Sequence, residues 1–222
     1  MRDLSVLPVW EQPIDGNLSV AALIERLNRE RRAKIERTLP TGLIPMDKWD
    51  RCEANIARES LRGRRCYGGL EQNANDVSSF VLLFEPAADD PRWRVLAYFF
   101  TDYGSIGAKI LELYKEFDIR EIAFDRWNTT SPVITLIKAG LVMVSTGQGF
   151  VDMSAPTKRL LELVLSGNLA HNEDSVLRQM AANTMVKIDP AGNIKPDRCK
   201  SSGNIAGIVA LIMALHCGKV GL

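Results

Sequence analysis

Arg65-Cys-Tyr-Gly-Gly-Leu70, Val77-Ser-Ser-Phe-Val-Leu-Leu-Phe84, Trp93-Arg-Val-Leu-Ala-Tyr-Phe-Phe100 and Ile119-Arg-Glu-Ile-Ala-Phe124 are the four apolar runs whose spacing decides the fold. The first three are of strand length and are separated by the turn Asn73-Ala-Asn-Asp76 and the loop around Asp89-Asp90-Pro91. Such short polar connections predict an antiparallel meander. Before the fourth run, Ile106, Ile110, Leu113 and Tyr114 recur at helical spacing, which predicts a helix over 106–117. A strand reached through a helix pairs in parallel, and a right-handed crossover places 119–124 beside 65–70.

Working outward, a helix over 132–139 is stopped by Gly140 and followed by a strand over 141–145. Helices are predicted over 155–166, 176–183 and 205–216, the first with Ser154 as N-cap and Pro156 in its first turn. A small hairpin, 185–188 with 193–195, turns around Asp189-Pro-Ala-Gly192. Upstream, residues 1–16 read as an irregular lead-in, and Ser19 caps a helix over 20–36 that ends at Pro40 and Gly42. Ile44-Pro-Met-Asp-Lys-Trp-Asp50 then packs Trp49 on the domain that follows. The expected organisation is a lead-in and helix over 1–43 and a single α/β domain over 44–222. A meander, then alternating helix and strand, then a terminal helix is the element order of a ribonuclease H-like mixed sheet flanked by helices.

Composition narrows the chemistry. Apolar residues make up 46% of the 222 and charged residues 25%, as in a soluble domain. The apolar run 205–215 is too short to span a membrane, and the N-terminus lacks a secretory h-region, so a cytoplasmic location is expected. Cys52, Cys66, Cys199 and Cys217 form no C-x-x-C pair, and His171 and His216 are the only histidines, which leaves little for a zinc site. No Walker A loop and no nucleophile elbow is present. The net charge is +1, yet basic residues cluster over 26–37 and in Arg62-Gly-Arg-Arg65, as a solvated face or as a surface for phosphates.

Acids at strand ends are the remaining candidates for chemistry, because hard divalent cations need converging oxygens. Asp125 closes the 119–124 strand and opens Asp125-Arg-Trp-Asn128; it is a metal ligand there, or a helix cap, or a partner of Arg126. Glu71 closes the first strand after Gly68-Gly69, as a site residue or an ordinary turn acid. Asp76, Asp102 and Asp152 are further loop acids.

Seven strings taken together resemble the phage terminase large-subunit family. They are Trp49-Asp-Arg-Cys52, Arg62-Gly-Arg-Arg-Cys-Tyr-Gly-Gly-Leu70, Phe124-Asp-Arg-Trp-Asn128, Gly147-Gln-Gly-Phe150, Met153-Ser-Ala-Pro-Thr-Lys158, Asp189-Pro-Ala-Gly-Asn-Ile-Lys-Pro196 and Lys200-Ser-Ser-Gly203. They run collinearly from about Ile44 to the C-terminus. The resemblance implies a ribonuclease H-like endonuclease domain that cuts double-stranded DNA with two Mg²⁺ or Mn²⁺ ions, with the terminase small subunit or portal as further partners. It implies Glu71 and Asp125 as catalytic metal ligands and Arg64, Arg65, Arg126 and Lys200 as DNA contacts. The family's ATPase half has no counterpart in these residues, so a motor activity is not expected.

Three departures accompany it. Glu71 stands where the family has Asp, and Ala206, within Ile205-Ala206-Gly207, stands where the third acidic ligand is expected. A segment usual in the family between Phe100 and Thr101 is missing. Ala206 offers no oxygen, and Glu71 is longer than Asp by one methylene, so impaired cleavage is expected, with Asp189 or Asp197 as substitutes if any acid takes over. A catalytically dead prophage remnant that keeps the fold and binds DNA or a partner is the alternative implied.

Overall fold

The computed structural model describes residues 42–73, 76–88, 90–127 and 131–218, together with the backbone of two short strands, β1 (Pro13–Ile14) and β2 (Leu18–Ser19), which pair antiparallel. The chain divides into two compact units, 1–40 with 188–193 and 41–187 with 194–222. In the smaller unit Ser19, read as a helix cap, lies in β2; the helix expected over 20–36 and its basic cluster fall outside the described residues. Gly192 closes the hairpin tip, with φ of 76° and its N–H on the Asp189 carbonyl.

The larger unit is built on one mixed sheet. Its strands are β3 (Arg65–Glu71), β4 (Ser78–Phe84), β5 (Trp93–Phe100), β6 (Asp118–Asp125), β7 (Met143–Thr146) and β8 (Leu169–His171) in the order β7-β6-β3-β4-β5-β8. β3, β4 and β5 form the expected antiparallel meander, and β6 lies parallel beside β3. This is the mixed α/β sheet that the spacing of the four apolar runs predicts. β8, parallel to β5 at the edge, was not foreseen, because Leu169-Ala-His171 is too short to carry a period.

Helices α1 (Met46–Arg51), α2 (Gly104–Glu116), α3 (Ser131–Lys138), α4 (Phe150–Ser166), α5 (Ser175–Asn183) and α6 (Ala206–Cys217) cover the sheet. α4 starts five residues before the expected 155, with Gly149 as its N-cap. Pro156 therefore lies inside the helix, and Ser154 instead accepts the N–H of Ile194, the first residue of β10 (Ile194–Pro196), which pairs with β9 (Val186–Ile188). Trp49 is fully buried and stacks on His171 at 4.2 Å between centroids, while His171 Nε2 hydrogen-bonds the Trp49 carbonyl at 3.0 Å. That contact is the packing expected of Trp49.

The two faces of the sheet differ in kind. Leu70, Phe80, Ile122 and Phe124 meet Ile106, Ile110 and Leu113 of α2 and Val133 and Leu136 of α3 in an apolar core. The opposite face receives α6, whose sequence AGIVALIMALHC is apolar on all sides and buried on nearly all. The fit there is backbone to backbone: a Cβ on Gly69 would lie 1.8 Å from the Ala210 carbonyl oxygen and 2.9 Å from the Ala214 nitrogen. Only glycine at 69 lets α6 sit on β3 at this depth. Gly69→Ala is therefore expected to cost about 3 kcal/mol or more, read from urea unfolding, because the obstacle is main chain that cannot swing aside. A loss under ~1 kcal/mol would contradict this packing.

Candidate active site

Strand alternation decides which residues share the α6 face. Gly69 meets α6, so Glu71, two residues on, points to the same side. Gly69 is in register with Ala123 and Leu70 with Phe124, so Asp125 follows on β6 on that same face. Glu71 is paired with Ser79 of β4, and Asp125 with Thr146 of β7. Glu71, Ser79, Asp125 and Thr146 thus line one end of four neighbouring strands under α6. The start of α6 is anchored at this end too. Asn204 Nδ2 donates to the carbonyl of Val77, just before β4, at 3.1 Å, and Asn204 Oδ1 accepts the Ala206 N–H at 2.7 Å. Ala206 opens the helix fully buried.

Glu71 is the electrostatic centre of this cluster. Its residue is 3% exposed, and each carboxylate oxygen has a donor. Gln148 Nε2 donates to Oε2 at 2.6 Å, and Arg198 Nη2 donates to Oε1 at 2.5 Å and to Gln148 Oε1 at 3.2 Å. Burial pushes the Glu71 carboxyl up to about 7. The negative charge of Asp125 acts in the same direction, while Arg198 and Gln148 pull it down. Glu71 and Asp125 therefore sense each other's charge across the strand ends. Asp125 is half-buried, and its Oδ1 accepts the Trp127 N–H at 3.2 Å. Arg126 turns to Asp152 at 3.1 Å.

The other loop acids serve local structure. Asp76 accepts the Val77 N–H, Asp102 accepts from Ser105 at the start of α2, Asp189 holds Asn193 across the hairpin, and Asp197 accepts the Cys199 N–H. Among the described residues no group of three or more His, Cys, Asp or Glu side chains could hold a metal ion. Two divalent ions need several converging hard oxygens. Here the carboxylates are two, both oxygens of Glu71 are occupied, and Ala206 carries a methyl group. Ser79 Oγ, buried on the Glu71 face, has no hydrogen-bond partner, while the buried Thr146 hydroxyl donates to the Val144 carbonyl. As they stand, these residues do not fit a pair of divalent ions.

Of the residues expected to meet DNA, the structure brings Arg126 to this end of the sheet and leaves Arg64 and Arg65 at the other. Arg64 donates to the Glu85 carbonyl, and Arg65 lies 3.9 Å from Asp118 and 4.0 Å from Glu85, at the start of β3 and so about 20 Å from Glu71 along the strand. Lys200 is exposed, two residues beyond Arg198. Arg198 and Gln148 are the residues that reading the sequence missed. Gln148 sits in the Gly147-Gln-Gly-Phe150 string, but nothing in Asp197-Arg-Cys-Lys200 singles out a partner 127 positions away.

The family model described as terminase large subunit, endonuclease domain, matches residues 85–220. The chain belongs to this family. Asp125 and Ala206 lie within the matched residues, whereas Glu71 precedes them. The terminase large subunit of Enterobacteria phage HK97 is 32% identical over 188 aligned positions, covering 68% of this chain and 37% of the relative. The chain thus spans well under half of the curated relative it matches. The crystal structure of the HK97 large terminase superposes with a TM-score of 0.70 at 27% identity, covering 90% of this chain and 51% of that one. The large terminase nuclease of thermophilic phage G20c, solved with bound magnesium, shares the fold at a TM-score of 0.54 and 14% identity, over 68% of this chain and 80% of that one. The fold is the ribonuclease H-like fold of terminase nucleases.

The Glu71 carboxyl gives this family member a pH signature. Its folded value of about 7 lies above its ordinary 4.5, so the folded state holds the proton that the unfolded state has released between the two. The stability this group contributes is full below 4.5 and lost as pH rises through 7. Urea unfolding across this window is expected to show wild type losing roughly 3 kcal/mol more than Glu71→Gln, which has no proton to lose. Parallel pH profiles for the two proteins would contradict the assignment.

Proposed function

We propose that this chain is a terminase-type endonuclease domain, residues 44–222, that engages double-stranded DNA but whose Mg²⁺- or Mn²⁺-dependent cleavage is impaired. The observation that carries the reading is the closed carboxylate. Glu71 and Asp125 share the α6 face at adjoining strand ends, yet Arg198 and Gln148 occupy Glu71 and Ala206 supplies no third acid. Glu71 and Asp125 are the residues that would hold divalent cations, whose chemistry in this fold is to activate water and to stabilise the leaving oxygen. The G20c nuclease structures with bound magnesium, cobalt and zinc support divalent-metal use in the family.

The residues at the rim suit the polyanion. Arg126 and Lys200 carry positive charge beside the Asp125 and Arg198 segments, and phosphate contacts of this kind position a duplex without reading its sequence. Arg64 and Arg65, at the opposite end of β3, belong to a second contact or to none. The terminase small subunit and the portal are the partners this assignment implies, and the cytoplasm of the bacterial host is the compartment. No helix among the described residues is long and apolar enough to cross a membrane.

The alternative, a catalytically dead remnant that keeps DNA or partner binding, is favoured by the same two features, Arg198 on Glu71 and the methyl at 206. Plasmid cleavage with Mn²⁺ separates the readings. Wild type is expected to cut little or not at all, Ala206→Asp to restore part of the activity, and Glu71→Asp to add more in the Ala206→Asp background than alone. Robust wild-type cutting abolished by Asp125→Ala would refute impairment. No cutting in the double variant favours the dead remnant and directs attention to the short connection Thr101–Tyr103 between β5 and α2.

A further inference from the structure

We infer that Arg198 is an intramolecular competitor of the divalent cation: the Glu71 carboxylate favours one occupant, the Arg198 guanidinium or an ion, over both. This rests on the reading of Glu71 and Asp125 as the cation-binding carboxylates and adds how access to them is controlled.

A carboxylate 3% exposed needs a countercharge, because a lone buried ion is costly. The chain supplies its own. Arg198 lies in the loop between β10 and α6, reaches across to the end of β3, and is held from both sides of a closed triangle: Arg198 to Glu71, Gln148 to Glu71, Arg198 to Gln148. Both carboxylate oxygens are engaged, so an ion approaching within its usual ~2.1 Å of Oε1 meets a guanidinium nitrogen 2.5 Å from the same atom. Each oxygen keeps a second lone pair, but repulsion between two cations on one carboxylate oxygen favours one occupant over both.

Displacement is sterically open. The Arg198 side chain is 42% exposed and lines a cavity of about 210 Å³ that Lys187, Lys195 and Asp197 also border. A released guanidinium has room there and a carboxylate, Asp197, to face. The loop it leaves remains tethered by other bonds: Ser201 Oγ donates to the Asp197 carbonyl at 2.7 Å and accepts the Met185 N–H at 3.1 Å, and Asn204 holds Val77. Exchange of Arg198 for an ion is thus a side-chain event at a fixed loop. It also sets a cost on the ion, which must break two charge-assisted hydrogen bonds that a typical open carboxylate site does not have.

The test is Mn²⁺ binding to the full chain, followed by the electron paramagnetic resonance of free Mn²⁺ and by the shift in Tm on adding Mn²⁺. Arg198→Met keeps the aliphatic stem and removes the charge; it is expected to bind Mn²⁺ at least about tenfold more tightly than wild type. Its Tm is expected to rise more on Mn²⁺ addition, because the ion replaces the lost countercharge. Adding Glu71→Gln to Arg198→Met is expected to erase the gain, whereas in wild type Glu71→Gln changes Mn²⁺ binding little. Arg198→Lys, which keeps a charge but cannot span Glu71 and Gln148 with a planar fork, is expected to fall between wild type and Arg198→Met and serves if the latter does not fold. Equal Mn²⁺ affinity in wild type and both Arg198 variants overturns the competition and leaves the cation site standing. Absence of Mn²⁺ binding in all of them overturns the cation site as well.

Discussion

The main-chain contact between β3 and α6 sets the geometry of everything at the candidate site. Gly69 has no side chain where the Ala210 carbonyl passes, and α6 settles against the sheet with nothing but glycine and alanine between the two backbones. Because α6 is apolar all round, burial on this face is its route out of water, and helix propensity alone does not hold a twelve-residue segment. The contact carries consequences along the strand. Two residues past Gly69 the same face holds Glu71, whose carboxylate, 3% exposed at the end of a parallel strand pair, meets Gln148 and Arg198.

A carboxylate in that position has few options. Burial raises its affinity for a proton, the neighbouring Asp125 raises it further, and the protein answers with a guanidinium and an amide rather than with a third acid. In a site built for two divalent cations, the negative charge would outnumber the positive until the ions arrived. Here the balance is already struck within the chain: one of two carboxylates is matched by Arg198, and Ala206, at the start of α6, carries no carboxyl group. Membership of the terminase endonuclease family and a closed carboxylate site are thus compatible. The family accounts for the sheet; the strand-end acids Glu71 and Asp125 sit on it, and Arg198 and Gln148 hold the first of them.

Much of this was legible in the chain because period and spacing are local. The meander, the parallel placement of β6 and the terminal helix follow from short turns, one crossover helix and the run 205–215. β8 was not legible, since three residues held by an edge pairing leave no pattern, and the start of α4 was misread because Ser154 and Pro156 imitate a helix beginning in mid-helix. There the tertiary bond from Ile194 to Ser154 uses the hydroxyl that a cap would have used. For the site, Glu71 and Asp125 were visible as acids closing strands. Arg198 was not, because its role depends on a side chain crossing from a loop to a strand 127 residues earlier, and one arginine in a polar loop looks like any other.

The Arg198 guanidinium is the countercharge of the Glu71 carboxylate. The most direct measurement is the anomalous scattering of crystals of the unmodified protein grown or soaked with Mn²⁺. Arg198 is expected on the Glu71 carboxylate, with no anomalous peak bridging Glu71 and Asp125. A pair of Mn²⁺ peaks between those two carboxylates, with Arg198 turned away, would contradict it.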